Sequence, residues 1–122
     1  MAKNKDKKPF KVEISGSTQH QNVRVDVSYP NFLKSLQELE ADEQERVLAT
    51  IEKIQQMTWN DVYQTSSKTP GHKRGINFEP TEQRTKSGIR IATIRVGQKM
   101  RARVCRREQF MRFISLHPDH IC

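Results

Sequence analysis

Residues 89–116, IRIATIRVGQKMRARVCRREQFMRFISL, decide the fold of this chain. Read with a period of two, they divide into three β segments, 89–96, 100–106 and 109–116, separated by Gly97-Gln98 and by Arg107-Glu108. Separations that short suit tight antiparallel hairpins. Successive side chains of a strand point to opposite sides. The middle segment therefore places Arg101, Arg103 and Cys105 on one face and Met100, Ala102 and Val104 on the other. The expectation is a three-strand antiparallel meander whose middle strand presents arginines, with Cys105 as a buried thiol.

Toward the N-terminus, Asn22 to Val27 alternates cleanly, with Val23, Val25 and Val27 on one side, and reads as a strand. Pro30 suits the first turn of a helix, and Phe32, Leu33, Leu36 and Leu39 follow at helical spacing. A second helix begins near Asp42, with Glu45 as a capping-box partner, and Val47, Leu48, Ile51 and Ile54 line one side. These apolar residues are expected in the core. Residues 59–85 carry little periodicity: the turn-rich 69–75 segment precedes a brief strand expected at 76–78, ahead of Pro80. The expected class is α+β, an N-terminal strand and two helices on a small, mainly antiparallel sheet.

The chain has 122 residues, which fits one domain, here expected over 22–122. Residues 1–21 read as a basic, flexible extension with a short strand at 10–14. No apolar run approaches the roughly 18 residues of a membrane helix, and the N-terminal lysines have no apolar stretch behind them. A cytoplasmic protein is expected. The net charge of +8 is unevenly spread. Between 36 and 62, seven acids stand against Arg46 and Lys53, a net of −5; between 84 and 112, ten basic residues stand against Glu108, a net of +9. A positive half dominated by arginine, whose planar fork grips phosphate in bidentate fashion, points to a polyanionic partner. Only Phe110 and Phe113 offer stacking platforms among these charges, fewer than single-strand binders usually interleave.

The order strand–helix–helix–three strands on a small basic chain resembles the RelE/ParE superfamily of bacterial toxins. The resemblance covers about 22–120. It is carried by Lys99-Met100-Arg101-Ala102-Arg103-Val104 and by 109–116 followed by His117-Pro118-Asp119-His120. It implies the toxin of a toxin–antitoxin system, an mRNA interferase that cuts mRNA in the ribosomal A site and is silenced by a cognate antitoxin. The ParE-like branch of the same fold instead inhibits gyrase, and a non-catalytic basic RNA-binding domain is the third alternative.

Metal-free RNA cleavage attacks the adjacent phosphorus with the ribose 2′-OH. It needs a base, cations for the phosphorane oxygens, and an acid for the departing 5′-oxygen. Arg101 matches the strand arginine of the resembled family and takes the electrostatic role. Arg90 and Arg95 lie on the preceding strand, with the register between them open; Lys99 and Arg103 are further RNA-contacting residues. His117 and His120 form the natural acid–base pair, since histidine titrates near neutrality. His120 stands in for a terminal tyrosine that relatives often carry, no Tyr following Tyr63 here. Glu79, or Glu82, occupies the place where some relatives carry a carboxylate base. No cofactor or metal is expected, because His117, His120 and Cys122 supply three ligands where a structural zinc takes four.

Overall fold

A computed structural model describes residues 20–67, 75–97 and 99–118. Along them run β1 (Arg24–Asp26), α1 (Pro30–Gln37), α2 (Ala41–Ile54), α3 (Trp59–Tyr63), β2 (Glu79–Arg84), β3 (Arg90–Arg95), β4 (Arg101–Arg107) and β5 (Phe110–His117). The strand expected at 10–14 lies outside the described residues. The strands form one sheet in the order β1-β5-β4-β3-β2. β1 runs parallel to β5, and every other pairing is antiparallel.

The meander read from 89–116 is present and is one strand longer. β2 joins its far edge against β3, beginning at Glu79 and carrying Pro80. The brief strand expected at 76–78 is therefore misplaced. Ile76 and Phe78 are buried in the approach to the strand, and the strand proper includes the proline read as its end. An edge position tolerates a residue with no N–H to give to a ladder. Between β4 and β5 the turn falls one residue later than expected, on Glu108-Gln109, with Glu108 at φ 56°.

Pro30 opens α1 as its spacing suggests. The cap of α2 falls two residues earlier than expected. Glu40, not Asp42, is the extended N-cap residue, and its N–H donates to Glu43 Oε1 at 3.1 Å. α3 is held by a reciprocal pair, Asp61 N–H to Thr58 Oγ1 at 3.1 Å and Thr58 N–H to Asp61 Oδ2 at 3.0 Å.

One face of the sheet is covered by the helices. Phe32, Val47, Ile54, Trp59 and Val62 pack there on Ala92, Ile94, Val104, Met111, Phe113 and Leu116. Phe32 meets Phe113 edge-to-face at 5.3 Å. Trp59 is fully buried, donates from Nε1 to the Gln109 carbonyl at 3.0 Å, and lies under the Arg106 guanidinium at 4.5 Å. Two residues expected in the core are not there: Leu33 is 41% and Leu48 54% exposed. Each directly follows a fully buried residue and is rotated about 100° from it around the helix, beyond the stripe that meets the sheet.

Candidate functional site

The opposite face of the sheet is not covered by the helices, and the charged residues sort onto it by strand register. Directly paired residues share a face, with Cβ atoms roughly 5 Å apart. Arg95 pairs with Arg101 and Arg101 with His117, giving one row across β3, β4 and β5. The next row is Thr93, Arg103 and Ser115, with Glu79 at its β2 edge. The third is Ile91, Cys105, Arg112 and Asp26. A bulge between the partners of Arg103 and Val104 keeps both rows of β5 in phase, with Ile114 as the extra residue.

Charge is not equal along these rows. In the third, Arg112 Nε donates to Asp26 Oδ2 at 3.0 Å. Hydrogen bonds from the Ser28 hydroxyl and amide, and then Arg112, hold the Asp26 carboxyl below its ordinary range. That row is locally neutral, and beside it the buried Cys105 thiol is pushed up by desolvation. The first row brings the two arginines Arg95 and Arg101 side by side. Arg101 Nη1 donates to the Met100 carbonyl at 3.1 Å, and Arg103 reaches across β3 to donate from Nη2 to Gln83 Oε1.

His117 ends the first row. Its Nε2 lies 2.9 Å from Ser115 Oγ. Desolvation, and then the Arg103 charge, lower its pKa and so favour the neutral imidazole. A neutral ring accepts a proton, and the flanking arginines complement phosphate. The arrangement can therefore bind a phosphodiester and take a proton from a hydroxyl beside it.

The structure separates the two arginines of β3. Arg95 shares the face of Arg101. Arg90 has the parity of buried Ala92 and lies on the helix side, near Tyr63, Pro80 and Arg106. Arg90 is thus not brought to the Arg101 row. Glu79 is at the sheet edge, two strands from Arg103, and its carboxylate accepts from the Ser67 amide at 2.8 Å and the Ser66 hydroxyl at 3.3 Å. These bonds tie the end of α3 to β2. Glu82 is exposed on β2, and Lys99 is exposed between β3 and β4. His120 lies outside the described residues. Sequence reading missed Ser115 and Gln83 as partners of His117 and Arg103. Ser115 was in reach, since period two puts it on the face of His117. Gln83 was not, because β2 itself was not recognised. Among the described residues no three His, Cys, Asp or Glu side chains gather as a metal site. No helix among them is long and apolar enough to cross a membrane.

No family model matches this sequence, and no curated protein matches it. Among solved structures, the chain is similar to a chain of the archaeal RelE–RelB complex from Pyrococcus horikoshii OT3. The TM-score is 0.53 at 13% identity, over 84% of this chain and 100% of the other. The α+β fold, three helices on a five-stranded mixed sheet, is RelE-like.

Proposed function

We propose that this chain is the toxin of a toxin–antitoxin pair and a metal-free endoribonuclease that cleaves mRNA in the ribosomal A site. The observation that carries this reading is the row Arg95–Arg101–His117 on the face of a RelE-like sheet opposite the helices, flanked by Arg103 and Ser115. His117, held neutral, accepts the proton of the ribose 2′-OH as its oxygen attacks phosphorus. Arg101 takes the charge that develops on the phosphorane oxygens, and Arg95 and Arg103 hold the flanking phosphates, with Lys99 beside them. A separate general acid protonates the departing 5′-oxygen, a role that falls to His120. Displacement leaves a 2′,3′-cyclic phosphate on one fragment and a 5′-hydroxyl on the other.

The partner that restrains such an activity is a cognate antitoxin. The similar solved structure is of a RelE–RelB complex, and a basic face of this density attracts an acidic segment quickly. The test is induction of the chain alone in a bacterial host, with transcript 5′ ends mapped minutes later beside Arg101→Ala and His117→Ala/His120→Ala. New ends in codon register, absent from both variants, are expected. Growth arrest without new ends would point instead to a ParE-like action on gyrase. RNA binding with neither arrest nor new ends would leave a non-catalytic basic domain.

A further inference from the structure

The residues between 36 and 62 are strongly acidic, yet their two cations do not sit at random. Arg46 and Lys53 are seven apart, two turns of α2, and with Glu43 and Thr50 they form one stripe along the helix. That stripe is one wall of a cleft of about 800 Å³ whose other wall, at the β3–β4 connection, supplies Arg95 and Lys99. Among the described residues four cations therefore face the cleft against one acid, and the Glu43 carboxylate already accepts from the Glu40 amide. Among the described residues Arg46 pairs with Asp42 at 4.0 Å with both side chains more than 60% exposed, a contact too long and too solvated to neutralise it. Gathering four like charges around one groove has a Coulombic cost that a bound polyanion offsets.

The cleft is continuous with the face of the sheet opposite the helices through Arg95, which pairs with Arg101 in the first row and also lines the groove. Pro118, the residue after His117, lines it too. Among the described lining residues none is aromatic, and the buried Met100 and Ile76 lie at its floor. Such a surface holds a backbone and does not read bases. We infer that this cleft is a phosphate-binding subsite for single-stranded RNA, in which Arg46 and Lys53 of α2 and Lys99 hold the stretch that leaves the sheet face past Arg95. The inference rests on the endoribonuclease reading for the direction of the strand, but its occupancy does not depend on cleavage. An acidic protein segment is the less suited occupant, because stable protein contacts want exposed apolar anchors and here the apolar side chains are buried beneath the charges.

The test is binding of the full chain to a short, mixed-sequence, 2′-O-methylated single-stranded RNA, whose blocked hydroxyl prevents cleavage, across a salt series. Each phosphate contact contributes about 0.7 to the slope of log K against log salt for single strands. Arg46→Gln/Lys53→Gln should make the slope shallower by about 1.4 and weaken binding roughly tenfold or more at about 50 mM salt. Lys34→Gln/Lys86→Gln removes the same charge from exposed positions outside the cleft and should leave most of the affinity. Glu43→Gln keeps a capping-box side chain while removing the acid, and should tighten binding. Changing the base sequence should alter none of these effects.

Equal losses in the two double variants would overturn the assignment, since net charge alone would then account for binding. So would failure of the parent to bind the RNA, or an Arg46/Lys53 dependence seen with poly-glutamate and absent with RNA. The outcome is separable from the endoribonuclease reading. Loss of that reading appears as uncut transcripts, while this assay reads only occupancy of a substrate that cannot be cut.

Discussion

Trp59 joins the helices to the strand that carries Arg101 and Arg103, and Trp59→Phe tests that joint. Its ring is fully buried, its Nε1 donates to the Gln109 carbonyl in the β4–β5 turn at 3.0 Å, and the Arg106 guanidinium stacks on it at 4.5 Å. The carbonyl also accepts from the Arg24 amide at 3.0 Å, so phenylalanine does not leave it orphaned. Loss of that hydrogen bond then costs about 0.5–1.5 kcal/mol. The smaller ring leaves roughly 40 Å³ unfilled, which at about 24 cal/mol per Å³ costs ~1 kcal/mol beyond the lost transfer energy. A weaker cation–π contact removes up to about 0.5 kcal/mol more. With about 0.5–1 kcal/mol of lost transfer energy the total is about 2–4 kcal/mol, a shift of the urea midpoint by roughly 1–2 M for a chain of this size. Phe110→Ala, at a ring 42% exposed, should cost under about 1 kcal/mol. A Trp59→Phe loss below about 1 kcal/mol, or one equal to that of Phe110→Ala, would refute the view that Trp59 is the joint.

His117 should titrate below its ordinary 6.5, because desolvation and then Arg103 disfavour the cation. The folded chain then binds fewer protons than the unfolded one as pH falls from 6.5 through the folded pKa. Stability is lost over that window, and His117→Gln should flatten this part of the pH–stability curve. NMR titration of the ring checks the direction. Thr58→Ala removes the hydroxyl that caps α3 and should cost about 1 kcal/mol by chemical denaturation. Val47→Ala, at a fully buried position, should cost about 1–3 kcal/mol, whereas Leu48→Lys, one residue on and 54% exposed, should fall within about 0.5 kcal/mol. Asp26→Asn should destabilise by no more than about 1 kcal/mol at neutral pH, an effect that fades as pH drops below 3.8 and the native carboxylate protonates.

The meander was legible because alternation is a property of neighbouring residues. IRIATIRV and MRARVCR announce their own faces, and the structure keeps them, with Arg101, Arg103 and Cys105 on one side of β4. The two helices were legible for the same local reason, though their stripes proved narrower than the hydrophobic residues available, leaving Leu33 and Leu48 outside. β2 was not legible. EPTEQR has no apolar alternation and carries a proline, and only its pairing with β3 makes it a strand. Missing β2 also hid what Glu79 and Gln83 do, since both act through contacts distant in sequence. The choice between Arg90 and Arg95 likewise needed the register of β3 against β4. The cationic stripe of α2 was present in the spacing of 46 and 53 but masked by a net charge of −5 around it.

The central claim is that chemistry occurs on the face of the sheet opposite the helices, along the row of Arg95, Arg101 and His117. The most direct measurement adds purified chain to ribosomes programmed with a defined mRNA and determines both ends of each product, for the parent and for Arg95→Ala, Arg101→Ala and Arg90→Ala. The account predicts paired 2′,3′-cyclic phosphate and 5′-hydroxyl ends. Arg101→Ala should lose cleavage by a hundredfold or more. Arg95→Ala should be impaired, and Arg90→Ala, on the opposite face, should stay near the parent. Products without a cyclic phosphate, or an Arg90→Ala defect as deep as that of Arg101→Ala, would contradict it.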